Sequence, residues 1–195
     1  HKEMLLSHAY YSKNFSLFTF LFSLYPTPPS SLSMQRMTPL VVLHEPNKEL
    51  RIVSTPVSDA VIRDAKTQTL IDELIVTMID ENGVGIAAPQ VGVHERIIIV
   101  ETPTGIIPYI NPEITSRSVR MVASVEGCLS VPGVCGVVKR HSTVKVKAKT
   151  RDGEDGEVKA NGLQAIIFQH EIDHLDGVLF IDRATKITKD VSSRL

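Results

Sequence analysis

Two histidines with a glutamate directly after the first stand at His170-Glu171-Ile172-Asp173-His174. On a helix, residues four apart share one face, with about 5–6 Å between their Cβ atoms. Two imidazoles so placed can grip one divalent metal ion, leaving Glu171 as a general base. The plain alternative is a solvated helix face carrying two histidines and an acid, and the five-residue pattern alone does not separate the two. The surrounding stretch supports a helix: Leu163, Ile166, Ile167 and Phe168 recur at helical spacing, Asn161 is placed to cap the start, and Gly177 is placed to stop it. One amphipathic helix is expected over 161–177.

A metal held by this pair needs a third protein ligand if one position is to stay open for water. One large peptidase class extends the pattern to a third histidine; here Gly177 is in place but Phe180 occupies the histidine position. No glutamate follows Glu171, so a thermolysin-type downstream carboxylate is also missing. Cys128, in Glu126-Gly-Cys-Leu-Ser130, is then the leading third ligand, with Asp176 next. A small buried hydrophobe is the commoner fate of an isolated cysteine. Cys135, beside Val134 and Gly136 in a strand-like run, is read that way.

Gly83-Val-Gly-Ile-Ala-Ala-Pro-Gln90 superficially matches a dinucleotide fingerprint. That fingerprint must follow a strand and open a helix, whereas this one follows a helical pattern and runs into Pro89. Its glycines are better read as permitting close backbone approach to something bound. Gln90 offers an amide beside that approach, or simply caps a loop.

Around these residues the periodicities predict two helices among antiparallel strands, an α+β layout. From Met37 to Pro56 the prolines discourage helix. Asp64 to Glu81 carries an apolar stripe of Leu70, Ile71, Leu74, Ile75, Met78 and Ile79, ended by Asn82-Gly83. Strands are predicted at 96–100, 106–110, 119–125, around Val137-Val138, at 142–149, near 157–160 and at 178–181. The alternation of Val144, Val146 and Ala148 with Lys145, Lys147 and Lys149 marks a strand with one wet face. The segment after Asp182 is polar and weakly patterned.

The 195 residues suit one domain, and 43% hydrophobic with 22% charged residues is ordinary for a globular chain. A formal net charge of −1 gives no footprint for nucleic acid or an anionic membrane. Two cysteines make no disulfide framework, which points to a reducing compartment. Seven of the ten aromatic residues fall within the first 25 positions, and a Pro/Ser tract follows from Tyr25 to Ser33. The apolar run from Phe15 to Leu24 is too short to span a bilayer. Residues 1–36 read as upstream reading frame before Met37 in preference to a signal peptide or an organellar transit peptide, and are left out of the predicted fold. The domain is placed at 37–195.

Gly83-Val-Gly-Ile-Ala-Ala-Pro-Gln90, Glu126-Gly-Cys-Leu-Ser130 and Gln169-His-Glu-Ile-Asp-His174, in this order and with these gaps, resemble the three signature motifs of the peptide deformylase family. The resemblance runs from about Met37 to Asp182. It implies mostly antiparallel strands packed around a central helix, and hydrolytic removal of the formyl group from N-formylmethionine of nascent chains. Carried over by position, it makes Cys128, His170 and His174 the metal ligands and Glu171 the general acid/base. Gln90, through its amide, and Leu129, through its backbone N–H, would receive the oxyanion. Val84 and Gly85 would pair with an extended peptide, and Leu163, Ile166 and Ile167 would line the methionine pocket. Glu126 matches a supporting position, with Arg140 as its partner. The family implies Fe(II), with zinc, nickel or cobalt able to occupy the site. A monomer in the cytoplasm is expected, or an organelle if residues 1–36 are a transit peptide. The thinly basic tail puts ribosome docking by a helical extension in doubt.

Overall fold

The computed structural model describes residues 37–189. The expectations for residues 1–36 and for the last six positions lie outside the described residues. The longest helix, α1 (Ala65–Asp80), obeys the stripe: Ile71, Leu74, Ile75 and Met78 are buried. Asn82, at φ 56°, turns the chain out of it, a left-handed conformation that asparagine tolerates better than most residues.

A five-stranded antiparallel sheet runs in the order β1-β2-β3-β6-β7. Its strands are β1 (Gly85–Ala87), β2 (Ile97–Thr102), β3 (Gly105–Arg117), β6 (Thr143–Lys149) and β7 (Asp155–Asn161). Alternation along β2 decides which helix each side chain meets. Ile97 and Ile99 join the α1 face with Ile86 and Ile110, whereas Ile98 and Val100 join the opposite face with Val144, Val146 and Ala160. Against that second face packs α2 (Leu163–Leu175), through Ala165, Ile167, Phe168, Ile172 and Leu175. The sheet is therefore covered on both faces, which is why β2 reads as an unbroken β-branched run. A second antiparallel sheet, in the order β4-β5-β8, comprises β4 (Met121–Cys128), β5 (Val131–His141) and β8 (Lys186–Lys189). Beneath it Leu50, Val131, Val138, Leu179 and Phe180 form a third core cluster.

Several expectations are corrected. α2 is not amphipathic: Gln169, Glu171, Asp173 and His174 are buried along with its apolar residues. Asn161 does not cap it; Asn161 ends β7 and its side-chain oxygen accepts from Thr143 Oγ1, while Gly162 at φ 56° starts the helix. Residues 178–181 form no strand. Phe180–Arg183 is a one-turn helix, α3, whose start is held by Asp182 Oδ2 accepting from the Leu179 N–H at 2.8 Å. β3 runs well beyond Ile110, through Pro112, because Asn111 at φ 52° bulges out of register and bonds both the N–H and the C=O of Val57 at 2.8 Å. The polar segment after Asp182 contributes β8, paired to β5.

Candidate metal and catalytic site

Three separate parts of the chain meet at one place. α2 presents His170, Glu171 and His174 along consecutive turns. The end of β4 presents Glu126 and Cys128, two apart and so on one face of the strand, with a register slip against β5 between them. The tight turn Ala88–Val91 after β1 presents Gln90.

Sγ of Cys128 and one nitrogen from each of His170 and His174 all lie within 4.8 Å of one another. Sγ is 3.2 Å from His174 Nε2, and the two imidazole centroids are 5.0 Å apart. One thiol and two imidazoles converging behind buried walls fit a divalent transition metal and suit zinc, iron, nickel or cobalt alike. His170 Nδ1 lies 2.9 Å from Glu126 Oε2. Burial raises the Glu126 carboxyl, but hydrogen bonds from Arg140 and His170 outweigh it and hold the pKa down at about 2. Glu126 is therefore a carboxylate that accepts, Nδ1 carries the proton, and Nε2 is left for a metal. Burial, followed by the charges of His170 and Arg140, pushes His174 well below the ordinary imidazole range and keeps it in the neutral, ligating form. For His170 burial acts downward, but the Cys128 sulfur and the Glu126 carboxylate outweigh it and raise the group. A cation taking Nε2 would release a proton.

Glu171 sits directly against Gly85. A Cβ built on that glycine would lie 2.9 Å from the Glu171 Cδ and 3.0 Å from its Cγ, so the close approach predicted for the glycine motif is made to the helix itself. Burial pushes the Glu171 carboxyl up to about 7, with His170 and Arg140 pulling against it and Glu126 adding to it. Its Oε2 is buried without a hydrogen-bond partner among the described residues. That is an acceptor left for water or substrate. Gln90 is oriented at both ends: Oε1 accepts from the Ala87 N–H at 2.9 Å, and Nε2 donates to Ser130 Oγ at 3.1 Å, with Cys128 Sγ at 3.6 Å. Its N–H donor thus borders the metal position.

The remaining predicted residues fall close by. Leu129 is half-buried, with its Cδ1 3.1 Å from where a Gly83 Cβ would lie. Val84 and Leu163 pack at the rim of the α2 cluster, Ile166 keeps part of its surface exposed, and Ile167 is buried within that cluster. Arg140 spans Glu126 in a two-point pair, Nε to Oε1 at 2.8 Å and Nη2 to Oε2 at 2.9 Å. Asp176, the alternative ligand, is instead paired with Arg96 at 2.7 Å.

Sequence reasoning missed four contributors. Ser130 fixes the Gln90 amide. Gln169 stitches α2 to the end of β5 by exchanging hydrogen bonds with the His141 backbone. Asp173 takes the third arm of Arg140, and Arg183 pairs with Asp173. An acid inside a helix that also carries buried ligands was the available signal for Asp173.

A family model for polypeptide deformylase matches residues 38–190. The chain is 46% identical over 144 residues to the peptide deformylase of Halothermothrix orenii, an alignment covering 73% of this chain and 91% of that protein. It is also similar to the actinonin-bound crystal structure of class I type b peptide deformylase from Acinetobacter baumannii, with TM-score 0.72 and 40% identity over 76% of this chain and 99% of the other. The Met-Ala-Ser-bound structure of that enzyme gives TM-score 0.71 at 40% identity, over 75% and 98%. The chain belongs to the polypeptide deformylase family.

Proposed function

We propose that the family's reaction, hydrolysis of the formyl group from N-formylmethionyl N-termini with release of formate, runs here between α2, the end of β4 and the Gln90 turn. The convergence of Cys128, His170 and His174 beside a buried carboxylate with an unused oxygen carries this reading. A divalent cation held by these three side chains would supply Lewis acidity to water and to the formyl oxygen. Glu171 takes the proton of the attacking water and delivers it to the departing amine nitrogen. Gln90 Nε2 and the Leu129 N–H donate to the oxygen on which charge develops, each contributing about 2.7–4 kcal/mol as such donors do elsewhere. The products are formate and a chain with a free N-terminal methionine.

β1 is a terminal strand of its sheet, so an extended peptide can add alongside Val84 and Gly85. Leu163, Ile166 and Ile167, on the turns leading to His170, receive the methionine side chain. The binding of Met-Ala-Ser by the similar Acinetobacter enzyme supports a site built for the first residues of a chain. Fe(II) is the native metal in this proposal, residues 37–195 are the catalytic unit, and a cytoplasmic monomer is the working form.

The test pairs anaerobic purification and metal analysis with formate release from formyl-Met-Ala-Ser. Glu171→Ala is expected to abolish formate release while retaining metal. Full activity in that variant would overturn the assigned role. Cleavage of internal peptide bonds without formate would point to an endopeptidase instead.

A further inference from the structure

Beyond Glu126 and Arg140, the ion pairs continue outward to the C-terminal segment. Asp173 Oδ2 accepts from Arg140 Nη1 at 2.6 Å and from Arg183 Nε at 2.6 Å, and Oδ1 accepts from Arg183 Nη2 at 2.8 Å. The chain reads His170, Glu126, Arg140, Asp173, Arg183, and every link is a charge-assisted hydrogen bond. Side-chain exposure rises along it from 0% at Glu126 through 4% at Arg140 and 12% at Asp173 to 48% at Arg183. Arg140 faces two carboxylates. Two of its donors go to Glu126 and one to Asp173.

We infer that Asp173 and Arg183 are positioning residues for the metal site, acting on His170 through Arg140 and Glu126. This rests on the metal-site reading above. Arg183 occupies both oxygens of Asp173 and neutralises it. Without Arg183, Asp173 is a second, uncompensated carboxylate competing with Glu126 for the Arg140 guanidinium. Glu126 is then held less firmly, and so is the Nδ1–H···Oε2 bond that aims His170 Nε2. Supporting partners of metal-bound histidines typically matter by about 10–100-fold in affinity. Arg183 is three links beyond Glu126, so the low end of that range is expected. A purely Coulombic role has the opposite sign, because removing a cation would tighten metal binding.

The test titrates the metal-free full chain with Co(II) against a competing chelator, well below the unfolding temperature. Arg183→Ala is expected to weaken Co(II) binding about tenfold and Arg183→Lys by an intermediate amount, whereas Asp173→Asn, which removes the competing carboxylate and loosens only the third arm of Arg140, should weaken it less than Arg183→Ala does. In the Asp173→Asn background, Arg183→Ala should have no further effect, since Arg183 acts only through Asp173. Arg151→Ala, which removes a remote pair to Asp72, should leave binding unchanged. Unaltered or tighter binding by Arg183→Ala overturns the inference, as does an equal loss in the two backgrounds. If the unaltered chain takes up no equivalent of Co(II), the metal-site reading itself falls. If it binds and Arg183→Ala binds equally, only this inference falls.

Discussion

Gly85→Ala isolates the placement of Glu171. The methyl would sit 2.9 Å from the Glu171 Cδ and 3.0 Å from its Cγ, against 3.4–4 Å for ordinary contact. The carboxylate must therefore retreat by roughly 0.5–1 Å. The displaced group is the end of a side chain rather than backbone, and Gly85 is not among the residues with positive φ. The fold should absorb the change, and alanine's lower unfolded-state entropy offsets part of any cost. Catalysis should not absorb it: a misplacement of about 1 Å costs on the order of 10²-fold, or about 2.7 kcal/mol at 1.36 kcal/mol per decade. The expected result is a kcat for formate release down about a hundredfold, with metal content and Tm close to the parent. Gly127→Ala serves as the contrast, since its Cβ would meet nothing nearer than the Cys135 Sγ and the Val134 carbonyl oxygen at 3.8 Å. Gly85→Ala turning over within threefold of the parent would refute the close approach of Glu171 to β1.

Gln90→Ala should lower kcat by about 10²–10³-fold with little change in metal content, and an unchanged kcat in steady-state formate assays would remove Gln90 from the oxyanion role. Glu126 links stability to acid. Its folded pKa of about 2 lies below the ordinary 4.5, so its contribution is fully present above pH 4.5 and is lost as pH falls towards 2. At 1.36 kcal/mol per unit this is about 3 kcal/mol, and urea unfolding of Glu126→Gln should show a shallower acid limb than the parent. Gly177→Ala should destabilise by about 2–4 kcal/mol: its φ is +71° and a Cβ would lie 2.5 Å from the Arg51 carbonyl oxygen, which is backbone and cannot swing aside. Thermal unfolding would show the loss, and an unshifted Tm would contradict it.

What was legible in the sequence was what depends on local period or on residue type. The α1 stripe, the alternating lysine strand and the unbroken Ile97–Val100 run are each fixed by neighbours in sequence. The three-motif resemblance named residues that the fold gathers. What escaped depends on distant partners. The predicted strand stopped at Ile110, but Val57 satisfies Asn111 and lets β3 continue. The apolar residues at 178–181 were too few to separate strand from helix, and a single capping carboxylate, Asp182, decided for helix. The polar residues of α2 suggested a wet face because nothing local announces that Arg140, Glu126 and the His141 backbone come from elsewhere to bond Asp173, His170 and Gln169.

The site draws on residues near 85–90, 126–130 and 170–174, so its labour is divided between portable and non-portable parts. A peptide spanning 161–177 would still own two imidazoles and an acid, and could hold a metal weakly. It would lack the Cys128 sulfur, the Gln90 amide and the strand edge, all of which are carried by the sheets and the turns that join them. The fit around the acyl group itself therefore resides outside the helix, which supplies the base and the methionine pocket. Redesign aimed at a different acyl group should leave α2 untouched and work on Gly85, Gln90 and Leu129.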